Sequence, residues 1–231
     1  MEYNNNVYAV SDTRVSSVMK RVYLVMSVGL ALTGVLAYIC GTSLAYRTWF
    51  FSNSWAMWLM MFAGLGIVIG VSAGINKLST GAATALFAAF AAINGLELAP
   101  LFWAYTNVLI AKTFFVTAGV FVAMSIYGFC TDRDLTGFGS FLTMALIGLI
   151  ITMVVNIFVA SSTLDWIISI VGVLIFVGLT AWDTQQMKRI AAVAPQDSLG
   201  RLAVLGALNL YLDFINLFLF LLRIFGGGNN D

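Results

Sequence analysis

Hydrophobic residues run along this chain in seven long blocks, at about 22–41, 54–75, 81–105, 107–129, 138–160, 164–186 and 202–225, with short polar connections between them. Each block is close to the ~20 apolar residues that carry a helix across a bilayer. The first follows a polar leader and is longer than the ~7–15 apolar residues of a signal peptide core, so it reads as a retained span. The pattern predicts an all-α polytopic membrane bundle of seven transmembrane helices. Its parts are an N-terminal segment over 1–21, a transmembrane domain over 22–225 and a short tail over 226–231.

Composition agrees with that reading. Hydrophobic residues make up 61% of the 231 positions and charged residues 9%, against roughly 25% charged in a soluble domain. A net charge of +1, with no basic cluster, excludes a nucleic-acid-binding surface. Cys40 and Cys130 stand far apart in apolar segments without a CxxC pattern, and read as buried free thiols. There is no histidine. That removes the usual zinc ligand and the usual sensor of pH between about 5 and 8. Any proton-linked behaviour must then come from buried or paired carboxylates.

Short loops rich in Lys and Arg favour the cytoplasmic side. Arg14, Lys20, Arg21, Lys77, Arg133, Lys188, Arg189 and Arg201 share one side of a seven-span topology, and Arg47 lies on the other. The N-terminus is therefore expected in the cytoplasm and the tail outside, unless the last block is re-entrant.

Against this apolar background a few polar residues stand out. Asp213 lies near the middle of the last block, where a carboxylate costs about 2.5–3.5 kcal/mol and normally faces a partner, a cavity or a transport path. At about 100° per residue, Gly206, Asn209, Asp213, Asn216 and Arg223 fall on one face of that helix, a side expected to avoid lipid. Asp183 closes the preceding block. It is either neutralised by Lys188 and Arg189 or paired with Asp213 across neighbouring antiparallel helices. A direct contact requires the last helix to begin in the cytoplasm, and Asp197 and Ser198 are suitable caps for a start near Leu199.

Glu97 and Lys112 sit in the outer halves of consecutive blocks, as an ion pair or as the outer mouth of an ion path. Pro100 withholds the amide that would bond the Leu96 carbonyl, so the helix is expected to bend beside Glu97. Gly64, Gly66, Gly70 and Gly74 lack the context of a phosphate-binding loop and are expected at close helix contacts. Asp132 to Asp134 read as a solvated loop with local charge pairing. Trp49, Trp103 and Trp166 suit the membrane interface.

The run GLTAWDTQ at 178–185, the stretch GALNLYLDFINLFLFLLRIFG at 206–226 and the segment SIYGFCTDRDLTGFG at 125–139 together resemble the transmembrane Bax inhibitor motif family in its bacterial members. Trp182 stands where tyrosine is often found, and the connection from Gln186 to Arg201 reads as a fairly long loop. The resemblance implies a bundle around the last helix in the bacterial inner membrane, with proton-sensitive calcium leak as its activity and no cofactor beyond Ca²⁺ as the transported ion. It implies that Asp183 and Asp213 form the family's paired aspartates, a pH sensor and gate whose carboxylates serve as transient Ca²⁺ ligands. Asn209, Asn216 and Glu97 are candidate path-lining groups, and Lys112 and Arg223 candidate ion-pair partners.

The resemblance also implies links to suppression of cell death and control of a membrane protease. A non-conducting regulator that binds such a protease or another membrane protein is therefore an alternative. An intramembrane aspartyl protease also needs two aspartates on adjacent spans, but the LYLD context of Asp213 lacks the GxGD sequence of that class, and the chain is read as a non-enzyme.

Overall fold

A computed structural model of the chain describes residues 2–227, with side chains from Thr13 onward. The described residues form helices α1 (Glu2–Thr42), α2 (Leu44–Ser52), α3 (Ser54–Gly74), α4 (Thr80–Leu98), α5 (Leu101–Ala104), α6 (Asn107–Cys130), α7 (Thr136–Val159), α8 (Ser162–Val193) and α9 (Leu199–Gly227), with a 3₁₀ turn at Gln196–Ser198. Seven spans are long and apolar enough to cross a membrane, and they coincide with the seven hydrophobic blocks. The protein is a helical membrane bundle. Of the tail at 226–231, residues 228–231 lie outside the described residues, as does residue 1 of the leader.

Three local features differ from the sequence reading. Helix α2 was not marked, because its nine residues are too few for a span; Ser43 Oγ caps it by accepting from Tyr46 N at 3.3 Å. The connection from Gln186 to Arg201, read as a loop, is mostly helix, because α8 continues to Val193; α9 begins at Leu199, the start expected for it. Apolar residues mark where a helix meets lipid, whereas the helix itself ends where backbone hydrogen bonding ends. Ser198 does not cap α9 as its residue type suggested: its hydroxyl donates back to the Pro195 carbonyl at 2.7 Å, inside the 3₁₀ turn.

Close contacts divide the chain into two compact units, residues 1–106 with 187–211 and residues 107–186 with 212–231. In the first, α1 packs along α4. Gly95 lies so near α1 that a Cβ there would stand 2.9 Å from Thr33 O and 2.8 Å from Leu36 Cβ. The Thr33 hydroxyl donates to Ala91 O at 2.8 Å and shares a 2.7 Å hydrogen bond with the Tyr211 hydroxyl. The fully buried Tyr211 ring meets Phe87 and Phe90 edge-on, with centroids 5.5 and 5.7 Å away. Tyr211→Phe keeps that ring packing and removes one buried hydrogen bond, so a loss of about 0.5–1.5 kcal/mol is expected. A fall in the thermal midpoint of the detergent-purified protein checks it; an unchanged midpoint would mean that the bond contributes nothing.

The break at Pro100 is real. Helix α4 stops at Leu98 and α5 restarts at Leu101. The Leu96 carbonyl that Pro100 leaves unserved accepts from Tyr46 Oη at 3.0 Å and from Ala99 N at 3.3 Å. Burial, with smaller contributions from Cys40 and Glu97, pushes the Tyr46 phenol up to about 12, so it stays a donor at physiological pH. The glycines of α3 do not hold close helix contacts: Gly66 and Gly70 have no neighbour within 4 Å of a Cβ, and Gly64 meets Phe90 only at an ordinary 3.6 Å.

The second unit has a core of Leu142, Leu149, Ile168, Ile175, Phe176, Leu179, Leu217, Phe220 and Leu221, drawn from α7, α8 and α9. Phe214 of α9 packs edge-on against Phe114 and Phe121 of α6, at 5.3 and 5.5 Å. Helix α9 is the most enclosed span: 72% of its most apolar stretch is buried, against 11–50% for the other six. That burial is the expected signature of a central last helix. Cys40 and Cys130 are free, but Cys130 is exposed at the end of α6 and Cys40 is partly exposed, which corrects their reading as buried thiols.

Candidate functional site

Asp183 and Asp213 belong to the same unit, and their carboxyl groups are joined by a side-chain hydrogen bond. A fully ionised carboxylate has no hydrogen to donate. Such a bond forms only when one of the two carboxyls carries a proton. Asp213 is 4% exposed, and its Oδ2 is buried without a hydrogen-bond partner; Asp183 keeps partial exposure. Leaving a buried acceptor unsatisfied costs about 1–3 kcal/mol, an expense that native interiors normally avoid.

The helix lengths explain how the pair meets. With α8 ending at Val193 and α9 starting at Leu199, Asp183 lies roughly 15 Å and Asp213 roughly 21 Å from the connecting turn at 1.5 Å per residue. Those depths differ by about one helical turn, close enough for side chains on antiparallel helices to reach each other.

Three further residues shape the surroundings, and sequence reasoning gave none of them a role. Gly128 of α6 lies directly against the Ala181 backbone, leaving no room for a Cβ. Gly139 of α7 faces the Trp182 indole, whose Nε1 is buried without a partner. Gln185, two residues beyond Asp183, accepts from Leu135 N at 2.9 Å and donates to Arg133 O at 2.8 Å, so its amide clamps the connection between α6 and α7 to α8. The only signal for Gln185 was its place at the end of GLTAWDTQ. In the same connection Asp134 Oδ1 accepts from Thr136 N and Oγ1 at 2.9 and 2.7 Å, tying the loop to the first residue of α7.

The other named residues are dispersed. Asn209 and Asn216 are partly exposed, and Asn216 Nδ2 donates to Leu212 O of its own helix at 2.8 Å. The polar face of α9 is thus divided: Gly206 and Asp213 are buried, while Asn209, Asn216 and Arg223 are partly accessible. Glu97 is half-buried in the first unit, and Lys112 is exposed on α6 in the second. Arg223 pairs with Asp165, 3.6 Å away, a residue the sequence reading had passed over. Among the described residues no group of three or more Asp, Glu, Cys or His is placed to hold a metal ion.

Seven apolar spans, a deeply enclosed last helix and an intramembrane carboxyl pair define a polytopic membrane protein built around a buried acidic site. The chain belongs to the Bax inhibitor-1-like family: the family profile described as "Inhibitor of apoptosis-promoting Bax1" matches residues 15–230. It is 47% identical to inner membrane protein YbhL of Escherichia coli (strain K12), over 90% of each chain. Similar relatives include an uncharacterized protein of Borreliella burgdorferi, 43% identical over 92% of this chain and 93% of the other, and the uncharacterized protein RP147 of Rickettsia prowazekii, 43% identical over 90% and 88%.

Proposed function

We propose that this protein is a pH-sensitive, calcium-permeable leak pathway of the bacterial inner membrane, gated by Asp183 and Asp213. The observation that carries the reading is the hydrogen-bonded carboxyl pair with its buried, unpartnered Asp213 oxygen. When the pair shares a proton, the two helices are held together and the path is closed. As pH rises that proton leaves, two like charges face each other where burial of Asp213 weakens screening by water, and the helices separate. The freed oxygens are hard ligands of the kind Ca²⁺ prefers.

Ca²⁺ takes about 6–8 oxygen ligands in a tight site, and two carboxylates supply only part of such a shell. The pair therefore suits an ion in passage rather than one in storage. Asn209, Asn216 and Glu97 are the candidate polar groups along the way. The test is calcium flux into proteoliposomes of the purified protein as a function of pH. Flux that grows from acidic to neutral conditions is expected; a silent protein would replace the leak with a non-conducting regulator of a membrane protease or other membrane protein.

Loop charge and seven spans together support a cytoplasmic N-terminus. A reporter joined after Asp231 is then expected on the outer side of the membrane. Activity of that reporter in the cytoplasm would mean that α9 does not cross.

A further inference from the structure

The second unit carries another polar cluster, at the opposite end of α8 from the carboxyl pair. Asp165 stands in the first turn of α8 and Arg223 near the end of α9, with Arg223 Nη1 3.6 Å from Asp165 Oδ1. The same oxygen accepts from Asn156 Nδ2 at 3.2 Å, and Asn156 Oδ1 accepts from Ser161 N at 3.2 Å. Ala160, at φ 51°, makes the left-handed turn that lets the chain fold back over Asn156. These groups form the polar end of an open cavity of about 580 Å³. Its other lining residues include Ile150, Val154 and Ile157 of α7, which are 52%, 50% and 75% exposed.

As a stabilising device the ion pair is weak. Exposed pairs contribute about 0–1 kcal/mol, and here the side chains are 40% and 51% exposed and meet through a single long contact. A guanidinium offers five donors, so most of its capacity remains available. The Phe220 ring, 5.8 Å from the guanidinium carbon, holds the group in place. A cation and an anion are thus presented side by side at the mouth of a cavity whose wall is made of exposed aliphatic side chains.

The matching ligand has a phosphate and an ammonium a few bonds apart and apolar chains attached. We propose that this cavity seats the head group of an ethanolamine phospholipid. Its phosphate lies on Arg223, its ammonium on Asp165, and an acyl chain runs along Ile150, Val154 and Ile157. A primary ammonium has three N–H donors for the Asp165 carboxylate. A quaternary ammonium has none, and the cavity lining contains no aromatic cage that would hold one. Depth agrees as well: Asp165 stands in the first turn of α8, at the very start of that membrane span, so the cavity lies near head groups.

The experiment is native mass spectrometry of the full-length protein with phosphatidylethanolamine, phosphatidylcholine and phosphatidylglycerol of identical chains. Wild type is expected to retain phosphatidylethanolamine about tenfold over phosphatidylcholine, as charge-assisted hydrogen bonding allows. Asp165→Asn should erase that preference while leaving phosphatidylglycerol bound, and Arg223→Gln should weaken all three lipids. Gel filtration confirms that each variant is folded, and the exchanged pair Asp165→Arg with Arg223→Asp provides a second folded form in which partial recovery of the preference is expected. Equal retention of the ethanolamine and choline lipids by wild type would overturn the proposal, as would an Asp165→Asn protein that keeps the preference. Displacement of the lipid by soluble glycerophosphoethanolamine at equal concentration would also overturn it, because the cavity would then bind a free zwitterion.

Discussion

Asp213→Asn is expected to abolish most of the pH dependence of calcium flux. The amide occupies the same volume and donates a hydrogen bond to Asp183, so the closed contact survives. It cannot ionise. The pair then carries at most one negative charge at any pH, and the repulsion that separates the helices is never generated. Two unit charges about 4 Å apart repel by about 4 kcal/mol at an effective dielectric constant of about 20. Loss of even a third of that is worth roughly a factor of ten in an open–closed ratio, so the ratio of neutral to acidic flux should fall at least about tenfold.

Asp183→Asn should give the same phenotype, because the response belongs to the pair and not to either member. The double variant should then be no flatter than either single one, a strongly non-additive result of the kind contacting residues produce. Wild-type pH profiles in both single variants would make these carboxylates structural and place the sensor elsewhere. Opposite shifts in the two would mean that they act separately.

The span pattern was legible because lipid imposes it. A helix crossing hydrocarbon must be apolar where it meets lipid, and all seven blocks stand in the structure, with the first, sixth and last helices running on beyond their apolar stretches. Asp213 was legible for the same reason, since a carboxylate there needs an explanation. Its contact with Asp183 was less so. Hydropathy placed the end of the sixth span near residue 186, which left open whether Asp183 met Asp213 or was neutralised by Lys188 and Arg189. The polar end of α8, through Lys188 and Arg189 to Val193, continues as helix without any apolar signal.

Packing by small residues was read in the wrong place. Glycines clustered in α3 drew attention by their spacing, yet Gly66 and Gly70 have no neighbours. Tight contacts fall instead at scattered glycines such as Gly95, Gly128 and Gly139, and nothing in local composition separates Gly128 from Gly119 on the same helix. Only the partner surface does so, and a partner surface is a property of the fold. The Gln185 clamp and the Asp165–Arg223 pair were hidden in the same way, because each joins residues 50 or more positions apart in the chain.

Gly128→Ala tests how strongly that contact holds α8 in place. The added methyl would overlap the Ala181 carbonyl and lie 2.8 Å from its carbon and 2.9 Å from its Cα, all of them backbone atoms of a helix that cannot rotate aside. Overpacking of this kind costs about 1–3 kcal/mol, and it outweighs the ~1 kcal/mol that alanine gains over glycine within a helix. Gly119→Ala on the same α6 is the control, since nothing lies within 4 Å of its Cβ; the helix preference alone then predicts unchanged or slightly raised stability. Thermal unfolding in one detergent should place Gly128→Ala below wild type and Gly119→Ala level with or slightly above it. Ala181 is two residues from Asp183, so the Gly128→Ala displacement should also move one carboxyl of the pair and shift the pH midpoint of flux. A destabilised Gly128→Ala protein with an unmoved midpoint would show that the contact supports the fold without positioning the gate, and equal stability of the two alanine variants would mean that α6 and α8 do not approach this closely.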